Sequence, residues 1–263
     1  MRSVIPFTVA GRFYPAGPDE LREEVRSLLR RSRPAPAEAQ GLIAPHAGYP
    51  CSGPVAASAY AQIMGLRGRI RRVVLAGPAH FIDFEGIATS GADAYGTPWG
   101  GVPLDPAGRG TALSFPQVRV LEAAFEGEHA LEVHLPFLRE TLGDFLLVPL
   151  LTGRAQAGEV AEVLDALWEA ETLPVASSDL CHFHSSSQAG WRDEATARAI
   201  EEFRLPEIGP QQACGHLAIK GLLIAARRRG LTARAVDLRN SSDTDGPQDR
   251  VVGYGAFVLT PEK

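Results

Sequence analysis

Short apolar runs recur along the chain, each closed by Gly or Pro, and stretches with helical spacing lie between them. Residues 41–44 (Gly-Leu-Ile-Ala), 73–76 (Val-Val-Leu-Ala), 145–151 and 174–176 read as buried strands. Further strand signals fall at 86–89, 233–238 and 252–259. Leu21, Val25, Leu28 and Leu29, opened by Pro18-Asp19, have the spacing of a helix. Helices are also predicted over 55–64, 118–125, 131–142, 160–170, 188–203 and 215–229, with Pro136 kinking its helix or marking a restart. A Gly-rich loop covers 93–101. Strands alternating with helices predict an α/β fold around a largely parallel sheet. Only the loop 240–249 separates the last two strands, which predicts an antiparallel edge.

Composition narrows the class. With 263 residues and 45% apolar positions, the chain can bury a real core without staples. It reads as one domain over 1–263, with an N-terminal arm and helix over 1–40. The Pro/Ala-rich segment 33–40 lies too near the start to separate two domains. There is no low-complexity tract and no fixed-period repeat. The longest strongly apolar run, 145–151, falls far short of the ~20 residues that span a bilayer. The first ten residues carry one Arg and a short apolar stretch broken by Pro6, so no secretory leader is expected. The 26 basic against 31 acidic side chains give −5, which offers no footprint for nucleic acid or an anionic membrane. Three cysteines argue against a disulfide framework and predict a reducing, cytoplasmic setting.

The chemistry-bearing residues gather where predicted strands end. His46 follows the run 41–44, His80 follows 73–76, and His182 follows 174–176 by way of Ser177-Ser178-Asp179-Leu180-Cys181. If these strands are parallel, all three imidazoles share the rim where open α/β sheets bind ligands. Imidazole is a versatile transition-metal ligand, and nearby Pro and Gly make loops that aim a side chain. No Cys-x-x-Cys pair is present, so a zinc knuckle is excluded. His129 and His134 flank a predicted helix start; five residues apart, they share a face poorly. His129 could act as a base or hydrogen-bond partner, and His184 stands two beyond His182. Cys214 precedes a predicted helix start, where the dipole is expected to lower its pKa. It is either a thiolate ligand or a buried small hydrophobe. Asp179 could orient a histidine, ligate directly or form a turn. Cys51 and Cys181 read as structural.

At these residues a resemblance becomes specific. Ala44-Pro45-His46-Ala47-Gly48-Tyr49, Gly77-Pro78-Ala79-His80, Glu128-His129-Ala130-Leu131-Glu132-Val133-His134-Leu135-Pro136, Ser177-Ser178-Asp179-Leu180-Cys181-His182 and Cys214-Gly215 occur in that order. With Gly11-Arg12-Phe13-Tyr14-Pro15 and Gly253-Tyr254-Gly255, the chain resembles the Memo (mediator of cell motility) family, called AmmeMemoRadiSam system protein B in prokaryotes. The resemblance implies an α/β/α sandwich like the class III extradiol dioxygenases. It also implies a centre like the two-His-one-carboxylate iron site, with a cysteine in the carboxylate's place. By motif the ligands would be His46, His80 and Cys214, with His182 lining the pocket and the 128–134 segment nearby. Two positions depart from the family pattern: Cys51 stands where an aromatic is common, and Ala79 where a hydroxyl residue is common.

Two functions follow as expectations. The first is a metal-dependent, dioxygenase-like oxidoreductase acting on an unidentified small molecule. Iron(II), or alternatively copper, would sit on His46, His80 and Cys214, and His182 or His129 would serve as acid–base group. The second is a non-catalytic binding or scaffold protein with a vestigial pocket and an unidentified protein partner. A role beside a radical-SAM partner is implied only by the prokaryotic family name. The chain has no Cys-x3-Cys-x2-Cys signature, so such a role would be accessory.

Overall fold

The computed structural model describes residues 3–34, 38–244 and 249–262. The middle of the Pro/Ala-rich segment, 35–37, and part of the loop before the last strand, 245–248, lie outside the described residues.

Nine strands form the main sheet: β1 (Gly41–Ala44), β2 (Arg72–Pro78), β3 (Ile87–Thr89), β4 (Val118–Val120), β5 (Leu146–Thr152), β6 (Thr172–Ser177), β7 (His182–His184), β8 (Leu231–Asn240) and β9 (Val251–Pro261). Four of them, in the spatial order β1-β6-β2-β5, are mutually parallel. They are buried on both faces along nearly their whole length, so their sequences are apolar runs with polar residues only at the ends. β9 lies antiparallel to β1 and pairs along its length with β8, also antiparallel. The antiparallel addition predicted at the end of the chain is present. β7 pairs with the start of β9, and β3 adds antiparallel to β5 with β4 parallel beyond it. A separate small sheet joins Val4–Ile5, Ala94–Tyr95 and Val102–Pro103.

Alternate strand residues feed two cores. Leu42, Val73, Leu75, Leu147, Leu173 and Val175 face one side, where they meet α1 (Pro18–Arg31), α2 (Tyr49–Ala61) and α4 (Leu135–Leu142). Ile43, Val74, Ala76, Val148 and Leu150 face the other. There they meet α3 (Pro106–Leu113), α5 (Ala157–Leu167), α6 (Ser186–Glu201) and α7 (His216–Arg228). The period of two puts one apolar set on each face of the sheet. The result is an α/β/α sandwich with a mixed sheet, the architecture expected from the sequence.

Several elements differ from their predicted form. Residues 118–125 are not a helix: Val118–Val120 is an edge strand, followed by a 3-10 turn, Glu122–Phe125. Pro136 does not kink a long helix. A 3-10 turn, Glu132–His134, precedes it and α4 restarts with the proline in its first turn, where the missing N–H costs nothing. α2 begins at Tyr49, well before the predicted 55, because Pro50 likewise sits in a first turn.

Candidate metal centre

β1, β6 and β2 lie side by side and run the same way. Their carboxyl ends therefore share one rim, the place where open α/β sheets bind ligands. His46 stands two residues past the end of β1 and His80 two past the end of β2. Ser177, the last residue of β6, lies between those two strand ends. His129 arrives from elsewhere, on the loop between the turns Glu122–Phe125 and Glu132–His134. Leu131 and Ala130 of that loop close over Gly77, where a Cβ would meet the Leu131 side chain at 2.9 Å.

The loop completes a cluster of three imidazoles. One ring nitrogen from each of His46, His80 and His129 lies within 4.8 Å of the other two. The His80 and His129 rings stack at 4.8 Å, and His46 stands edge-on to them at 5.2 and 5.6 Å. Phe13 closes the His129 side edge-on at 4.9 Å.

Glu128 orients this cluster from below. Its carboxylate, 1% exposed, accepts the backbone N–H of His80 at 2.6 Å and the His80 Nδ1–H at 2.9 Å. It also accepts the backbone N–H groups of His129 and Ala130, both at 2.8 Å. An ionised carboxylate only accepts, so His80 carries its proton on Nδ1 and turns the Nε2 lone pair outward. Burial opposes the charge on Glu128, but the bond to His80, its charge and the backbone donors outweigh burial and hold the carboxyl at about 2. Burial likewise works against His80 protonation, and Glu128 overrides it, raising that pKa. His129 is lowered by burial, with His80 adding to the effect against the pull of Glu128.

His46 is the deepest ring. Its backbone N–H donates to Asp179 Oδ1 at 2.8 Å, and Nδ1 lies 2.6 Å from Ser177 Oγ. Burial, then the neighbouring His80 and His129, push its pKa well below the usual value, so it is a neutral imidazole. Asp179 is buried too, and burial raises its pKa despite the His46 N–H. Among its sequence-stated options it takes the orienting one. Behind Ser177 sits His134, its Nε2 2.8 Å from Ser177 Oγ and its Nδ1 2.8 Å from the Tyr60 hydroxyl. Burial holds His134 down at about 3.

Cys214 meets the cluster at His46, with Sγ 3.4 Å from Nε2. Two donors about 2.0–2.3 Å from one ion stand roughly 3–4 Å apart, so this spacing fits a shared metal. The expected lowering of the thiol pKa is corrected: it is pushed up to about 12. Burial dominates and Asp179 adds to it, while Ser178 and the backbone donors oppose without prevailing. Cys214 also precedes the cap of α7 rather than lying in its first turn, so the dipole offers little. Gly215 explains the Cys-Gly pairing: a Cβ there would stand 2.2 Å from the Ser177 carbonyl oxygen. Gly215→Ala is expected to cost about 1–3 kcal/mol by overpacking and to displace Cys214, read as a lower urea midpoint with weakened metal binding.

His182 is not in the three-ring group. It opens β7 on the flank of β9, close enough to His46 and Asp179 to interact with both. His184 lies on the same short strand. Beside His80 and Cys214 a cavity of about 390 Å³ opens, walled by Phe81, Thr152, Arg154 and His216.

A second buried acid holds the arm that carries Phe13. Glu132 accepts the Thr8 N–H at 2.7 Å, the Thr8 hydroxyl at 3.0 Å, the Val9 N–H at 3.0 Å and the Tyr14 hydroxyl at 2.5 Å. Burial, then Glu132, raise the Tyr14 pKa. Sequence reasoning noted Glu128 and Ser177 only as neighbours of histidines and gave Glu132 no role. For Glu132 the available signal was a carboxylate flanked by Leu131 and Val133, both core positions, whereas Glu128 stands between an exposed Gly127 and His129.

An open mixed sheet between two helical layers, with imidazoles converging at its carboxyl rim, defines an α/β protein with a candidate metal site. The profile of Memo-like proteins matches residues 6–258, and the chain belongs to this family. It is 32% identical to a MEMO1 family protein of Methanopyrus kandleri, over 95% of this chain and 97% of the relative. It is 34% identical to one of Methanococcoides burtonii, over 96% and 98%. An uncharacterized protein of Escherichia coli K12 has a similar fold, with a TM-score of 0.50 and 14% identity over 81% of this chain and 98% of that one.

Proposed function

We propose that the protein is a metal-dependent oxidoreductase acting on a small molecule, with iron(II) or copper as its metal. The observation that carries this reading is the convergence of the His46, His80 and His129 nitrogens at one point of the rim, with the Cys214 thiol on His46. His46, His80 and Cys214 would hold the metal, and His129 stands close enough to join them. Imidazoles with one soft sulfur suit iron or copper better than magnesium or calcium. When bound, the metal supplies one-electron chemistry and Lewis acidity.

The chain's own groups do the rest. Glu128 and Asp179 set the two rim histidines in place before any ligand arrives. Phe13 and Phe81 both pack edge-on against the His129 ring. We assign proton transfer to His182, which stands close enough to His46 and Asp179 to interact with both. The cavity beside His80 and Cys214 has the size for a small substrate. No disulfide joins the three cysteines, which suits the reducing, cytoplasmic setting proposed here.

His46→Ala is expected to weaken Fe²⁺ or Cu⁺ binding at least about 100-fold in a calorimetric titration, the upper end for loss of a ligand or its support. Equal binding by variant and wild type would overturn the site. Oxygen uptake with a catechol panel, compared with His80→Ala, tests the chemistry. Turnover no greater than that variant's would leave a metal-binding protein without oxidoreductase activity.

A further inference from the structure

The Ser177 hydroxyl sits where three buried groups meet. Its Oγ lies 2.6 Å from the Ala130 carbonyl oxygen, 2.6 Å from His46 Nδ1 and 2.8 Å from His134 Nε2. All of these residues are buried: Ser177, Tyr60 and Ala130 are sealed from solvent and His46 and His134 nearly so. The protons on this network are fixed by counting. A carbonyl oxygen only accepts, so the single Ser177 proton goes to Ala130. Both lone pairs of Oγ then face ring nitrogens, so His46 must donate through Nδ1–H and His134 through Nε2–H. His134 is a neutral imidazole, which leaves its Nδ1 to accept the Tyr60 O–H at 2.8 Å. Tyr60 is itself held by stacking on Phe137, with ring centroids 5.2 Å apart and planes 6° apart. Reversing the Ser177 hydroxyl would leave the Ala130 carbonyl without a donor, and reversing the Tyr60 hydroxyl would strand its proton.

We propose that Ser177 is a positioning residue that locks the tautomer of His46, keeping its proton on Nδ1 and turning the Nε2 lone pair toward Cys214 as the metal donor. The proposal rests on the metal-site reading above. His134 serves as the backstop: by filling the second lone pair of Oγ, it leaves the Ser177 proton no outlet but Ala130. The same residue joins this lock to the one on His80. Ala130 gives its N–H to Glu128 and its carbonyl to Ser177, so the orienters of His46 and His80 meet on one residue. The middle strand of the three thus contributes a hydroxyl that orients a ligand instead of a ligand of its own.

The test is long-range ¹H–¹⁵N correlation on ¹⁵N-labelled, metal-free full-length protein, paired with Fe²⁺ and Cu⁺ titrations. In the wild type His46 is expected as the Nδ1–H tautomer and His134 as the Nε2–H tautomer. Ser177→Ala is expected to shift His46 to a mixture of tautomers or to Nε2–H, and to weaken metal binding 10–100-fold. A merely structural serine would lower stability without moving the tautomer. Wild-type His46 found as Nε2–H overturns the proposal, as does a variant that keeps Nδ1–H and binds metal within twofold of wild type. Should Ser177→Ala fail to fold, the wild-type tautomer decides alone. A tautomer that shifts as expected in a protein that binds neither metal upholds the lock and removes the metal reading.

Discussion

Glu128→Gln is expected to cost about 3–5 kcal/mol of folding stability, the range for breaking a buried charged network by altering one partner. The substitution preserves volume and loses acceptors. Four N–H groups converge on the carboxylate, three on Oε1 and one on Oε2. A glutamine amide has one accepting oxygen, and its NH₂ must face at least one of these donors. Each buried donor left unmatched costs about 1–3 kcal/mol. The check is urea unfolding, with a lower midpoint at an unchanged slope. The acid limb gives a second readout. Glu128 in the metal-free fold has its pKa lowered from 4.5 to about 2. A lowered carboxyl stabilises the fold above the unfolded value, and that stability is lost as pH falls from about 4.5 toward 2. His80 is raised, so its share is present below 6.5 and fades as pH rises through the folded value. Glu128→Gln should therefore flatten the acid limb. A variant within 1 kcal/mol of wild type on the same acid slope would sink this account.

Glu132→Ala is expected to match that loss, about 3–5 kcal/mol, and to free the N-terminal arm. The buried carboxylate is the common acceptor for Thr8, Val9 and Tyr14. Removing it takes the acceptor from two backbone donors, the Thr8 hydroxyl and the buried Tyr14 phenol. Arg12, exposed on the same arm, becomes the reporter. Trypsin should cut after Arg12 in the folded variant at least about tenfold faster than in wild type, because local opening sets the rate. Tyr14→Phe, which removes one of the four bonds, should cost only about 1 kcal/mol. Unchanged cleavage in Glu132→Ala would mean that something other than this carboxylate holds the arm.

The central strands were legible because burial on both faces leaves no polar residue to interrupt the run, as in Val73–Ala76. His46 and His80 were legible because each stands directly after such a run. The rest depended on contacts that leave no period. α3 (Pro-Ala-Gly-Arg-Gly-Thr-Ala-Leu) buries only Gly108 and Ala112, so it shows no apolar stripe. Val118–Val120 was misread as helix because an edge strand with one buried residue alternates too briefly to register. His129 follows no strand; the loop that brings it in is placed by Glu128 and by space over Gly77. The thiol of Cys214 was misjudged because proximity to a helix start is visible in sequence and burial beside Asp179 is not. Ser177 stood in the 177–182 motif only as a small residue ahead of His182, whereas its importance lies in where its one proton goes.

The order of the strands has a kinetic meaning. β6 lies between β1 and β2 but is the last of the three to be synthesised. His46 is separated from Ser177 by 131 residues and from Cys214 by 168. Closing loops of that length before any contact rewards them makes such pairings slow, and no short stretch of the emerging chain gathers the ligands on its own. The candidate metal rim is complete only once β6 lies in the gap. A metal held there is therefore expected to grip a finished sheet, slowing its opening and leaving the rate of its formation unchanged.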